Sequence, residues 1–177
     1  FFFISFPSVS VDLIDFYCER FLLDKSKLLS KLSKGMKQKV LIIQALLHDA
    51  DIFIFDDDLN FILIKRKNEP YKDYWALPGG FVDYGECVED AAMREALEET
   101  SIDVELKKLV GVYSNPSRDP RGHTVSITYT ARGDMKKMNA ADDACDIGIF
   151  KQEDLEKINL AFDHAKIIKD CLKSIIM

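Results

Sequence analysis

Apolar positions along the chain change their spacing near residue 50. Over residues 11–47 they recur at three- and four-residue steps, through Leu13, Ile14, Phe16, Tyr17, Phe21 and Leu22 and again through Val40, Ile43, Leu46 and Leu47. That is the period of helices with one buried face. From Ile52 the runs become short and strand-like. Ile52-Phe53-Ile54-Phe55 and Phe61-Ile62-Leu63-Ile64 flank the polar stretch Asp56-Asp57-Asp58-Leu59-Asn60, which predicts a hairpin. Trp75-Ala76-Leu77-Pro78-Gly79-Gly80 predicts a strand entering a glycine turn, and residues 87–100 a helix. Strands are expected at residues 104–113 and 124–131, separated by a Pro- and Arg-containing loop, and a last helix at residues 163–176. There is no internal repeat and no low-complexity tract. Strands interleaved with helices predict an α/β fold, a mixed sheet sandwiched by helices and preceded by a mainly helical N-terminal segment.

Composition narrows the picture. The chain has 177 residues, 47% hydrophobic and 31% charged, enough apolar material for one ordinary domain with an appendage. A formal charge of -6 argues against a broad electrostatic attraction to nucleic acid but leaves room for a local basic pocket. Cys18, Cys87, Cys145 and Cys171 lie far apart, which predicts reduced cytoplasmic thiols rather than a zinc site or a disulfide framework. The opening Phe1-Phe2-Phe3-Ile4-Ser5-Phe6 is too short to span a membrane and lacks the flanks of a signal peptide. No initiator Met is present, which is compatible with a start inside a longer reading frame.

Candidate chemistry concentrates between Gly79 and Ile102. Glu86, Glu89, Asp90, Glu95, Glu98 and Glu99 crowd around one base, Arg94. On a helix Glu95, Glu98 and Glu99 stand at i, i+3 and i+4, so their carboxylates share a face and repel. A hard divalent cation takes oxygen ligands of this kind. A solvated acidic face is the ordinary alternative; the adjoining glycine turn and the spacing favour the metal. Ala92, Met93, Ala96 and Leu97 are expected to pack on the sheet, and Arg94 to reach Glu98 or back to Glu86.

The segment resembles the Nudix box, G-x5-E-x7-R-E-U-x-E-E-x-G-U with U aliphatic. Gly80, Glu86, Arg94, Glu95, Glu98, Glu99 and Ile102 match, with Ala96 at the first U and Ser101 in place of the last glycine. Glycine commonly takes a left-handed conformation there, and serine would lose on the order of 1 kcal/mol. The resemblance implies that Glu95, Glu98 and Glu99 bind Mg²⁺ or Mn²⁺, that the Gly80 carbonyl is a further ligand, and that Glu86 and Arg94 support the catalytic cluster.

Further segments are similar to the ADP-ribose pyrophosphatase branch, over about residues 51–175 (Lys65-Arg66-Lys67, residues 74–82, Gly111-Val112-Tyr113-Ser114, Arg118-Asp119-Pro120-Arg121-Gly122-His123 and Leu160-Ala161-Phe162-Asp163-His164). That likeness implies substrate contacts from Arg66, Leu77, Gly79, Arg118 and Arg121. Forked guanidinium contacts suit phosphate, although an internal Arg–Asp pair is the plainer reading of the Arg118–Arg121 loop. Trp75 is read as core sooner than as an adenine platform, and His123 and His164 as structural hydrogen-bonders. For the general base, Asp142 and Asp143 in the stretch 134–146 compete with Glu86 and the helix glutamates; Asp143 is taken as the candidate.

The N-terminal segment has another likeness. Leu32-Ser33-Lys34-Gly35-Met36-Lys37-Gln38-Lys39 resembles the signature loop of ABC-transporter ATPases, and Gln44-Ala45-Leu46-Leu47 with residues 52–57 resemble the following helix and Walker B strand. No G-x-x-x-x-G-K-[ST] loop exists in the chain, so independent ATPase activity is not expected. The expected division is a helical fragment over residues 1–50, dispensable and loosely packed, and a Nudix domain over residues 51–177.

The expected function is metal-dependent hydrolysis of ADP-ribose, a nucleotide sugar, to AMP and ribose 5-phosphate by a cytoplasmic protein without nucleic-acid or membrane partners. Enzymes of this branch are often homodimers, and the resemblance carries that expectation. The alternatives are a Nudix enzyme for another nucleotide such as 8-oxo-dGTP, and a non-catalytic ADP-ribose sensor. Sensors of that kind place a winged-helix DNA reader after the domain, whereas this sequence closes with one helix.

Overall fold

Two apolar runs on either side of Asp56–Asn60 form the hairpin at the centre of the fold, strands β1 (His48–Phe55) and β2 (Phe61–Arg66), in register at Phe55 and Phe61. The computed structural model describes residues 18–20, 22–23, 33–36, 48–83, 85–139 and 144–176. Most of the predicted helical segment, the ABC-like motif and the candidate bases Asp142 and Asp143 therefore lie outside the described residues. The remaining elements are β3 (Trp75–Ala76), β4 (Gly79–Phe81), helix α1 (Val88–Thr100), β5 (Val104–Tyr113), β6 (Val125–Gly133), β7 (Ala144–Phe150) and helix α2 (His164–Ile176).

The sheet is seven-stranded and mixed, in the order β3-β2-β1-β6-β5, with β4 added to β1 and β7 to β2. Strands β1 and β6 run parallel from His48↔Val125 to Phe55↔Arg132, whereas the other pairings are antiparallel. Strand β1 begins before the predicted Ile52 because its polar start, His48 to Asp51, is held on both sides, by β6 and by β4.

Continuous apolar runs in β1 and β2 reflect burial on both faces. Ile52, Ile54 and Ile62 face Ala91, Ala92 and Ala96 of α1, while Phe53, Phe55, Phe61 and Leu63 face Ile167, Ile168, Cys171 and Leu172 of α2. Each large side chain so buried contributes about 1.5–3 kcal/mol. The result is an α/β/α sandwich. Trp75 belongs to the α2-side core, its ring 4.7 Å from that of Phe150.

Two expectations need correction. The buried stripe of α1 is Ala91, Ala92, Ala96 and Thr100, whereas Met93 and Leu97 are exposed, one step around the helix from the face that meets the sheet. Strand β7, with Asp146 and Gly148 interrupting its apolar positions, was not expected; it completes the outer edge of β2 from Phe61↔Phe150 to Arg66↔Ala144.

Helix α1 ends as its sequence predicts. Ser101 takes φ 60° and ψ 20°, left-handed, and its N–H donates to the Leu97 carbonyl at 2.9 Å. Replacing Ser101 by Gly should stabilise the protein by about 1 kcal/mol, raising Tm by about 2–4 °C in calorimetry, with activity unchanged.

Candidate active site

Strands β1 and β2 separate beyond their hairpin. At its N-terminal half β1 pairs with β4, Asp49↔Phe81 to Asp51↔Gly79, while β2 pairs with β3 at Ile64↔Ala76. The opened space is a cleft whose lining includes Asp49, Asp51, Arg66, Leu77, Gly79, Gly80, Glu95, Glu98, Glu99, Arg118, Arg121 and Phe162. The structure thus brings all the predicted metal donors and substrate contacts to one place. Glu86 and Arg94 stand behind the cleft lining rather than in it.

Small residues let α1 press close to the glycine turn. A Cβ on Gly79 would overlap the Ala50 carbonyl, so that position has no room for a side chain, and one on Gly80 would displace the Glu95 carboxylate. Arg94 organises the carboxylates. Its Nε and Nη2 meet the two oxygens of Glu86 at 2.9 and 3.0 Å, and Nη1 meets Glu95 at 2.6 Å and Glu98 at 3.1 Å. Nη2 also donates to the Phe81 carbonyl at 3.0 Å, fastening the helix to β4. Both partners predicted for Arg94 are present, with Glu95 and Phe81 besides.

The charges respond accordingly. Hydrogen bonding to Arg94 holds the Glu86 carboxyl below the usual range, helped by the Asp83 N–H, which donates to it at 3.0 Å. Burial instead lifts Glu95, with Arg94 opposing. Glu99 is held differently: it is buried and accepts the Gly79 N–H at 2.9 Å.

Oxygen donors on one helix face beside the Gly80 backbone have the chemistry a hard divalent cation requires. Among the described residues, however, no three His, Cys, Asp or Glu side chains form a preassembled metal cluster. Glu95 and Glu98 are turned onto Arg94, so a cation would have to draw them from it. The donor set fits a metal in kind, with Glu95, Glu98 and Glu99 the residues that would hold it.

Arginines make up the remainder. Arg118 is buried and forks onto Asp163, at 3.1 Å from Nε and 2.8 Å from Nη2, with Asp51 at 3.9 Å. Burial opposes its charge, yet the Asp163 bonds and then Asp51 hold its pKa above the ordinary value. Arg121 pairs with Asp119 at 2.6 Å, so the internal Arg–Asp pair of this loop is present while both arginines still face the cleft. His164 is buried, its proton affinity lowered by that burial, and Nδ1 accepts the Leu77 N–H at 2.9 Å. His123 contacts the Ser114 carbonyl at 3.0 Å. Both histidines are thus hydrogen-bonded within the structure.

Sequence reasoning missed Asp49 and Asp51. Their spacing carried the signal, since carboxylates at i and i+2 just before an apolar run share one face of a strand. Asp51 accepts a hydrogen bond from the Ser126 hydroxyl. Burial and then the neighbouring Asp51 push the Asp49 carboxyl up to about 7.

A glycine turn closed against a carboxylate helix, with guanidiniums in the same cleft of an α/β/α sandwich, has the groups that diphosphate cleavage calls for. The model of the NUDIX domain matches residues 46–171, and the chain belongs to the Nudix family as a Nudix pyrophosphohydrolase. It is 49% identical over 120 residues to an ADP-ribose pyrophosphatase of Methanocaldococcus jannaschii, covering 68% of this chain and 70% of that protein. It is 37% identical over 125 residues to the ADPR responsive transcriptional repressor NtrR of Acinetobacter baylyi, covering 67% of this chain and 50% of the repressor. Among solved structures, the NUDIX domain of Shewanella oneidensis NrtR complexed with ADP ribose matches with a TM-score of 0.66 at 28% identity, covering 86% of this chain and 99% of that one. A bifunctional NMN adenylyltransferase/ADP ribose pyrophosphatase of Francisella tularensis, complexed with AMP and a manganese ion, matches with a TM-score of 0.67 at 28% identity, covering 78% of this chain and 46% of that one.

The raised Asp49 carboxyl makes a stability prediction. Its folded pKa, about 7, lies above the ordinary 3.8, so the folded state holds the proton more tightly. Stability from this group is complete below the ordinary pKa and lost as pH rises through about 7. In metal-free buffer, Asp49→Asn should therefore raise Tm at pH 8 by about 3 °C or more, and by less at pH 5. An equal shift at both pH values would contradict the assignment.

Proposed function

We infer that the chain is a divalent-metal-dependent hydrolase that cleaves ADP-ribose to AMP and ribose 5-phosphate. The observation that carries this reading is the meeting of Glu95, Glu98 and Glu99 with Arg66, Arg118 and Arg121 in one cleft. Carboxylates able to hold a cation and guanidiniums able to hold phosphoryl oxygens are the two halves of a diphosphate site. Similarity to the archaeal ADP-ribose pyrophosphatase supports the choice of substrate.

In this reading Glu95, Glu98, Glu99 and the Gly80 carbonyl hold Mg²⁺ or Mn²⁺, which supplies Lewis acidity at the diphosphate when bound. Arg94 and Glu86 keep the carboxylates placed, Arg66, Arg118 and Arg121 bind the substrate, and Leu77 with Gly79 shapes the wall against it. Water adds across one P–O bond, its proton passing to a base for which Asp143, Glu86 and the helix glutamates compete. The catalytic unit begins with β1 at His48, so the residues ahead of that strand are dispensable to it, and the boundary expected at residue 50 moves to the start of β1.

A second reading, an ADP-ribose sensor without turnover, is supported by the likeness to the NtrR repressor. One assay separates the two. Product release is followed for ADP-ribose, NADH, diadenosine polyphosphates and 8-oxo-dGTP with Mg²⁺, for wild type, Glu98→Gln and Glu99→Gln. The expected outcome is AMP from ADP-ribose, lost on chelation and reduced about 100-fold or more by either change, at least ~2.7 kcal/mol of barrier. ADP-ribose bound but not cleaved would establish the sensor. Turnover of another compound would replace the substrate and keep the chemistry.

A further inference from the structure

The turn into α2 reaches the cleft through consecutive side chains, of which Asp163 forks onto Arg118 and His164 holds the Leu77 N–H. Phe162, the first of them, also lines the cleft. Its backbone lies at φ 51°, a left-handed conformation that is uncommon for a bulky side chain and that persists only where its surroundings impose it. Its ring takes two guanidiniums, Arg66 at 4.8 Å and Arg121 at 5.3 Å from the centroid. Tyr71, at 4.9 Å, packs against the same ring.

Like charges gathered on one ring repel. Arg66 shows it, its pKa lowered by burial and then by Arg121. The ring quadrupole offsets part of that repulsion, by ~0.5–2 kcal/mol per cation. Asp119 pairs with Arg121, and Arg66 Nε donates to the Pro70 carbonyl at 3.0 Å, which fixes each guanidinium plane. Two planar cations held this way are suited to forked contacts with an anion that enters the cleft together with a cation on the α1 carboxylates.

We propose that Phe162 is a positioning residue, whose ring holds Arg66 and Arg121 together as a paired-guanidinium receptor for one phosphoryl group of the substrate. The inference rests on the diphosphate-hydrolase reading and goes further in assigning a phosphoryl subsite apart from the carboxylate helix, with an aromatic ring as its support. Phe162 acts on affinity through the two arginines and takes no part in bond breaking.

The test compares wild type with Phe162→Leu, Phe162→Tyr and Arg66→Lys. Inorganic diphosphate is titrated calorimetrically in magnesium buffer, KM and kcat are measured for ADP-ribose, and Tm serves as the folding control. Phe162→Leu should weaken diphosphate binding and raise KM by about tenfold, with kcat within about threefold of wild type. Phe162→Tyr, which keeps the ring, should restore both values. Arg66→Lys keeps the charge without the planar fork and should lose binding as Phe162→Leu does. Unchanged diphosphate binding in Phe162→Leu, an equal loss in Leu and Tyr, a fall in kcat at constant KM, or no diphosphate binding by wild type would each overturn the proposal. Should Phe162→Leu fail to fold, Phe162→Met, apolar and of similar volume but without the ring, takes its place with the same expected losses. Wild type that binds diphosphate with this dependence yet leaves ADP-ribose intact would retire the substrate reading and keep the receptor.

Discussion

The candidate site depends on one guanidinium. Glu86, just ahead of α1, and Glu95 and Glu98 on it would repel one another, and Arg94 bonds to all three while also holding the Phe81 carbonyl. Removing one partner of a buried, hydrogen-bonded charge network commonly costs ~3–5 kcal/mol, because the carboxylates left behind have lost their counter-charge. Arg94 is partly exposed, so its own loss falls toward the lower part of that range. The same guanidinium fixes how a cation can enter. Glu99 is already aligned by the Gly79 N–H, whereas Glu95 and Glu98 must be shared between Arg94 and any metal.

Behind that constraint lies the sheet. Strand β1 serves two purposes along its length: Ile52 to Phe55 fill both faces of the core, and Asp49 with Asp51 face the cleft where β2 has turned away. One strand therefore joins the buried core of the domain to its charged cleft. Asp51 extends the connection sideways through Ser126 of β6 and toward Arg118, which Asp163 binds from the turn before α2. A shift of that turn would move an arginine in the site.

Much of this was legible from residue order, for identifiable reasons. Helix α1 shows because its carboxylates, its arginine and its glycine turn stand at fixed offsets that few other folds require. The hairpin shows because doubly buried strands make dense apolar runs. Strand β7 was not legible: Asp146 and Gly148 break its alternation, and its order comes from pairing with β2 rather than from its own pattern. Met93 and Leu97 misled because apolarity alone does not say which face of a helix meets the sheet when alanines do the packing. Asp49 and Asp51 passed unnoticed as polar residues ahead of an apolar run, since only the partner strands show that they lie inside a ladder.

Charge balance in the cleft bears on how a ligand enters it. Asp49, Asp51, Glu69, Glu95, Glu98, Glu99 and Asp119 outnumber Arg66, Lys67, Arg118 and Arg121 among the lining residues. The elevated proton affinities of Asp49 and Glu95, both due first to burial, arise in that same acidic setting. A diphosphate brings further negative charge and would be disfavoured in such a space despite the arginines. A divalent cation among the α1 carboxylates would offset most of that excess, so cation and diphosphate should each raise the affinity for the other by the same factor, as linkage requires. The internal Arg–Asp pairs fit this account. They keep Arg118 and Arg121 in place while the cleft is acidic, so that both still face it once a cation has offset part of the opposing charge.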